Sequence, residues 1–327
     1  MKKKLSFPAI KWGIGGGILL GFFFFFWLKQ FLISPSPVLV SIPRGANTKQ
    51  IAQLLYEKDL INSPFLFQLW TKIKGGEDKL KAGDYLLNRR MSMSTILDKL
   101  VKGEIVIYPL TLPEGYSATQ IASLLAREGY VDQDRFLKLV DNKNLCQELG
   151  IPASSLEGYL FPDTYYFTLD MDEERIIRLM IARFWEVLRP YQGRIREIGL
   201  SVHQAVILAS IIEKEAKLPP EKPLISAVFH NRLRQHMLLE SCATVIYALG
   251  ENKEQLFEKD LEIKSPYNTY LHRGLPPGPI SNPGQQALEA AIYPAEVNYL
   301  YFVSRNDGSH AFTADYQEFL QLKRKFR

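Results

Sequence analysis

Two stretches of this chain repeat each other without a gap at an offset of 70 residues: SIPRGANTKQIAQLLYEKDLI at 41–61 and TLPEGYSATQIASLLAREGYV at 111–131. Ile42-Pro43-x-Gly45 answers Leu112-Pro113-x-Gly115, and Gln50-Ile51-Ala52-x-Leu54-Leu55 answers Gln120-Ile121-Ala122-x-Leu124-Leu125. In each copy alternating apolar residues predict a short strand and Pro-x-Gly a turn. A helix then starts near Thr48 or Ser117, with apolar residues three and four apart. A period this long does not fit a solenoid, so one supersecondary unit is used twice. Between the copies KAGDYLL predicts another strand and SMSTILDKLVKGE another short helix. The expected region is a small α+β module over 38–140. It serves either as a spacer that packs against its neighbour or as a grip on an extended polymer.

What precedes this module limits where it can act. Residues 12–28, WGIGGGILLGFFFFFWL, carry no charge, a length near the lower limit for a membrane span, and Phe31, Leu32 and Ile33 extend it if Lys29 snorkels. A cleaved signal peptide is the alternative, but ISPSPV offers no small-x-small site and the phenylalanine run is too bulky. The expectation is a basic cytoplasmic tail over 1–11, an uncleaved anchor over 12–33 and a stiff linker over 34–37, with the rest of the chain outside. The lysines at 2, 3, 4, 11 and 29, unopposed by any acid before residue 34, account for the whole formal charge of +5. The remainder is electrically balanced, which removes the usual case for nucleic-acid binding. With Cys146 and Cys242 as the two cysteines, no disulfide framework holds the chain together.

Two glutamates lie in an apolar setting in SVHQAVILASIIEKEA, 201–216. Ser201 and Gln204 form a capping-box signature. Ala205, Leu208, Ala209, Ile212 and Ala216 form the inward stripe of the predicted helix, and Lys214 falls opposite it. Glu213 and Glu215 fall on the two flanks, so they cannot act side by side. Glu215 follows Leu208, Ile211 and Ile212 on its flank, whereas Glu213 follows Val206, Ala209 and Ser210. Bulky apolar neighbours desolvate a carboxylate and raise its pKa, which suits Glu215 to proton donation. The plainer alternative is two solvated glutamates.

Other segments add context. SLEGYLFPDTYYF, 155–167, sets Glu157 and Asp163 among aromatic rings, as a sugar-binding groove requires or as a core strand and turn would show. SPYNTYLHRGLPPGPISNPG, 265–284, is too rich in Pro, Gly and Asn for a regular element and has the character of a functional loop. GQQALEAAI then predicts a helix and NYLYFVSR a buried strand. His230, His236 and Cys242, six residues apart, match no zinc spacing. No G-x-S-x-G supports a serine hydrolase, and no cofactor is implied.

Taken in order, EGYLFPDTY, ASIIEKEA, VFHNRL, TVIYALG, YNTY with GLPPGPISNPG, and YLYFV resemble the endolytic murein transglycosylase family, also called MltG or YceG-like. The resemblance spans nearly the whole chain. It implies an α+β protein with a transmembrane helix, a LysM-like part within 38–140 and a catalytic domain over 141–327, facing the periplasm or outer cell surface. It implies peptidoglycan glycan strands as substrate and peptidoglycan synthases as partners. It places the catalytic role on Glu215, which protonates the bond between N-acetylmuramic acid and N-acetylglucosamine and then takes the C6 hydroxyl proton as a 1,6-anhydro ring closes. Glu157, Tyr159, Asp163, Tyr267, Asn268, Thr269 and Tyr270 are the candidates for lining the groove. One departure stands out: where the family usually has Asp-Pro-Thr-Val, this chain has Cys242-Ala243-Thr244-Val245, with Glu240 upstream as a possible substitute carboxylate. The rival readings are a muramidase that uses Glu157 or Asp163 to activate water, and a wall-binding scaffold without activity.

Overall fold

A computed structural model describes residues 36–326 apart from 108, 169, 170, 251, 252, 254 and 255. The expected tail and anchor lie outside them. Among the described residues no single helix is long and apolar enough to cross a membrane. The chain separates into two compact units, with the main change at residues 108 and 109 and residues 168–170 grouped with the first unit.

In the first unit β1 (Val38–Ile42) leads through a turn to α1 (Thr48–Glu57), followed by α2 (Pro64–Ile73), β2 (Gly83–Leu87) and α3 (Met93–Lys102). β1 and β2 pair antiparallel from Val38 opposite Leu87 to Ile42 opposite Gly83. Alternation turns Val40 and Ile42 inward against Ile51, Leu55, Phe67, Tyr85 and Ile96, all essentially fully buried.

The second unit opens with β3 (Pro109–Thr111), α4 (Ala118–Arg127), α5 (Gln133–Val140), α6 (Lys143–Glu148) and β4 (Thr164–Tyr166), which pairs back on β3. It continues with α7 (Glu173–Leu188), α8 (Gln192–Glu197), α9 (Val202–Glu215), α10 (Lys222–Arg234), α11 (Cys242–Leu249) and α12 (Gln285–Ile292). The hairpin β5 (Tyr301–Ser304) and β6 (His310–Thr313) and a last helix, α13 (Tyr316–Lys325), complete it. The β5 residues are half-buried, so the strand expected to be buried is an edge hairpin.

Both repeat copies form the same local structure. Asn47 and Ser117 cap α1 and α4, each in a capping box closed by the glutamine three residues on. Gly45 and Gly115 take φ of 73° and 74°, a left-handed turn that glycine adopts without cost. Their surroundings differ. The first copy pairs with β2 in the first unit, while the second pairs with β4 in the second. The α+β module expected over 38–140 therefore divides near 108, because Leu112, Ile121, Ala122 and Leu125 belong to the core that holds α7 and α9.

α9 is the centre of that core. Ala205 to Ile212 are buried on every side, not along one stripe, because α10, α11 and α12 all pack on the helix. Ser201 caps it as expected, with Gln204 closing the box. Against its flank sits Gly158 at φ 88°, where a Cβ would lie 2.4 Å from the Pro279 ring and 3.0 Å from Val206. Gly158→Ala should destabilise this unit by roughly 3 kcal/mol, combining left-handed strain with overpacking. Thermal melts would show this as a fall of roughly 5–10 °C in Tm.

Candidate active site

Glu215 is the last residue of α9, and its carboxyl group faces the start of α11. Its Oε1 accepts a 2.5 Å hydrogen bond from the Ser241 hydroxyl and a long one, 3.4 Å, from the Ala243 N–H. Ser241 is the N-cap residue of α11, yet its side chain does not cap that helix; the hydroxyl is spent on Glu215. The chain reaches Ser241 through Glu240 at φ 50°, a left-handed conformation that costs a non-glycine residue about 1–2 kcal/mol. Glu240 is held there by its N–H on Thr269 O and its carboxylate on Arg232.

These surroundings pull the Glu215 carboxyl in two directions. Desolvation raises its pKa above the ordinary carboxylate value, and its place at a helix C-terminus disfavours negative charge further. Ser241, the Ala243 N–H and the His310 imidazole favour the anion. His310 is itself fixed by Glu221, which accepts its backbone N–H at 2.9 Å and lies 2.6 Å from Nδ1.

Glu213 points elsewhere. Both of its oxygens meet Lys222 Nζ, at 3.0 and 3.1 Å, and Oε2 also accepts the Gly284 N–H at 3.0 Å. The two side chains of this pair are 9% and 6% exposed. Glu114 from the second repeat copy stands 3.8 Å from the same ammonium, and Gly115 packs on Glu213 Cγ. The two glutamates thus diverge as the helical wheel requires, one into an ion pair and the other among neutral donors.

An open groove of about 560 Å³ runs past this region, lined by Gly115, Ser117, Glu157, Ala243, Tyr247 and Ile280 among others. Ala243 belongs both to the groove wall and to the donors on Glu215. Of the expected groove residues, Glu157 lines it but is committed structurally. Its oxygens accept the Ala118 N–H, at the start of α4, and Asn282 Nδ2. Burial pushes its pKa from 4.5 up to about 7 against the pull of those hydrogen bonds. Tyr270 stands beside the site, its hydroxyl 3.1 Å from Cys242 Sγ. Tyr267 stacks at a tilt on Tyr247, a groove residue, with ring centroids 5.0 Å apart.

Four of the expected groove residues are engaged by the fold itself. Tyr159 is fully buried and bonds His203 Nδ1 at 2.7 Å; its ring is needed in the core against Phe184. Asn268 is also fully buried and donates to Leu261 O and Ile263 O, so it shapes its own loop. Thr269 is buried between Ser241 N–H and Thr244 Oγ1 and positions the turn before α11. Asp163 spends its carboxylate on Arg183 at 2.7 Å. Three organising residues escaped attention in the sequence: Ser241, Lys222 and Asn282. Asn282 joins three segments, accepting from Leu160 N–H and donating to Tyr116 O and Glu157. The Asn-Pro step in GPISNPG was its one local signal.

The architecture is that of an α+β protein built around one buried helix that ends in a carboxylic acid. The YceG-like family model matches residues 40–325, and the chain belongs to that family. It is 36% identical over 309 residues to the endolytic murein transglycosylase of Bacillus subtilis, covering 90% of this chain and 86% of the relative. It is 33% identical to the protein of that name from Streptococcus pneumoniae strain D39, over 86% of this chain and 56% of the relative, so it spans about half of that longer protein. The 2.6 Å crystal structure of a yceG-like protein from Listeria monocytogenes superposes with a TM-score of 0.63 at 35% identity, covering 88% of this chain and 99% of that one.

Because the folded-state pKa of Glu157 lies above its unfolded value, the native state keeps a proton that the unfolded chain has lost between pH 4.5 and about 7. Stability therefore falls as pH rises through that window, by about 3 kcal/mol from this group, and levels off above it. In Glu157→Gln the slope across the window should be shallower than in wild type, read from denaturant midpoints at a series of pH values.

Proposed function

We propose that this protein is a membrane-anchored endolytic transglycosylase. It cleaves the glycosidic bond between N-acetylmuramic acid and N-acetylglucosamine within peptidoglycan strands and leaves 1,6-anhydro ends. The observation that carries the reading is the carboxyl group of Glu215, raised in pKa by burial and bonded to the neutral donors Ser241 and Ala243. In the first step Glu215 gives its proton to the glycosidic oxygen as the C1–O bond breaks. In the second, the muramic C6 oxygen bonds to C1 and the Glu215 carboxylate takes the C6 hydroxyl proton, which restores the acid. Ser241 and the Ala243 N–H stabilise the carboxylate between the steps. Tyr247 lines the groove and offers a ring face to the sugar, with Tyr267 packed behind it and Tyr270 beside Cys242.

The lytic outcome is favoured over hydrolysis by what the other carboxylates do. Glu157 accepts from Ala118 and Asn282, Asp163 is paired with Arg183, and Glu240 with Arg232. None of the three is free to activate water, the role a second carboxylate fills in the usual glycosidases. Anchoring by residues 12–33 would place the cut on strands newly made at the membrane surface, beside the synthases that extend them.

Glu215→Gln should lower the release of fragments from isolated peptidoglycan by roughly 10²–10⁴-fold with the fold intact, while wild type releases products with anhydro ends by mass. Reducing muramic ends from wild type would sink the lytic step, and full activity in Glu215→Gln would sink the assignment. Ser241→Ala removes a donor that favours the anion, so the alkaline limb of the rate profile should move to higher pH. Its kcat should fall by roughly 10-fold or more, since one charge-assisted hydrogen bond contributes about 1.5–3 kcal/mol; an unmoved limb would show that Ser241 does not tune the acid.

A further inference from the structure

The outer face of α2 in the first unit is apolar and uncovered. Phe65, Leu66, Leu69 and Ile73 are 71%, 53%, 45% and 66% exposed, although the same helix buries Phe67 and Thr71 on its other side. At about 100° per residue the four exposed residues fall within an arc of roughly 100°. They form a continuous stripe, and single surface leucines of the ordinary kind do not. Trp70, half-buried, borders the stripe, with Lys74 Nζ 5.6 Å from its ring centroid. From Asn62 to Gly76 there is no acidic residue, and Lys72 and Lys74 are the charges present. An apolar arc edged by tryptophan and lysine, without acids, has the chemistry of a helix that lies in a lipid interface.

The chain outside the described residues says which occupant fits. The apolar run of 12–33 ends four residues, Ser34 to Pro37, before β1. Four extended residues reach about 14 Å at most, a short tether. If residues 12–33 are in the bilayer, the first unit is held against its outer surface, and lipid is the partner present at the highest local concentration.

We infer that α2 docks on the outer membrane surface, with Phe65, Leu66, Leu69 and Ile73 in the acyl-chain boundary and Lys72 and Lys74 at the phosphate level. This rests on the anchored reading of residues 12–33. It makes the first unit a lipid-bound foot, so the anchor and α2 together fix the unit's orientation on the membrane, as a single flexible tether would not.

The test uses the full chain with Cys146→Ser and Cys242→Ser, reconstituted in vesicles of phosphatidylcholine with phosphatidylglycerol. Spin labels are placed singly at positions 20, 65, 69, 73 and 98. Collision with oxygen, which partitions into lipid, is compared with collision with a water-soluble nickel chelate. The expected result is oxygen preference at 20, 65, 69 and 73 and nickel preference at 98, with the ratio at 69 inverted several-fold relative to 98. Oxygen preference at 20 with nickel preference at 65, 69 and 73 leaves the anchor standing and overturns the docking. Loss of both collisions at 65, 69 and 73 means that protein covers the stripe, a second copy included, and also overturns it. Nickel preference at 20 removes the anchor and the docking with it. Leu69→Glu with Ile73→Glu should return a label at 65 to water; a label that stays in lipid would show that the stripe is not what holds the helix there.

Discussion

The buried pair of Glu213 and Lys222 decides where everything else in the site can be. Two charges taken out of water are stable when each finds full compensation, and removing one partner leaves the other stranded. Here the ammonium meets both Glu213 oxygens, and the carboxylate also takes the Gly284 N–H. The three groups belong to the end of α9, the start of α10 and the end of the Pro–Gly-rich loop. One ion pair therefore fixes three segments around the last turn of α9. Because Glu215 lies two residues on, about 200° round the helix, fixing Glu213 leaves the other carboxyl facing α11. The pair at 213 and 222 acts on position and leaves the chemistry to its neighbour.

That division explains why α9 can end in an acid at all. A carboxylate at a helix C-terminus, partly desolvated, is doubly disfavoured, which suits a group that must hold a proton until it is needed. The opposing donors come from a different helix, whose start supplies the Ala243 N–H and the Ser241 hydroxyl. An end that repels charge and a start that attracts it meet on one carboxyl group. Desolvation prevails and keeps the pKa raised, while the donors hold the anion within reach, so a single group can give up a proton and take one back.

Local patterns were legible in the sequence, and tertiary assignments were less so. The capping box at Ser201, the helix starts near Thr48 and Ser117 and the turns at Gly45 and Gly115 are set by residues within a few positions of one another. The same locality separates Glu213 from Glu215. What the repeat could not show is which partner each copy would pair with, since β2 and β4 are chosen by packing and not by the copies. Tyr159, Asn268 and Thr269 looked like groove residues because polar and aromatic side chains in an irregular loop read alike whether they face substrate or hold the loop together. Ser241 carried no signal, because a serine before a helix reads first as a cap, and its hydroxyl here serves Glu215 instead.

The sequence at 242 and 243 gains a physical meaning from this geometry. In the resemblance drawn from the sequence, this point of the family usually carries Asp-Pro; this chain has Cys-Ala. A proline at 243 has no N–H, so the bond from Ala243 to Glu215 is one such a residue could not make. An aspartate at 242 would set a second negative charge beside Glu215 and raise its pKa, whereas the Cys242 thiol is itself pushed up by burial and stays neutral. Both differences act in the same direction, easing the formation of the Glu215 anion. The desolvation at the end of α9 opposes them and the His310 imidazole alike, and it is that opposition, more than any one residue, which lets the acid keep its proton.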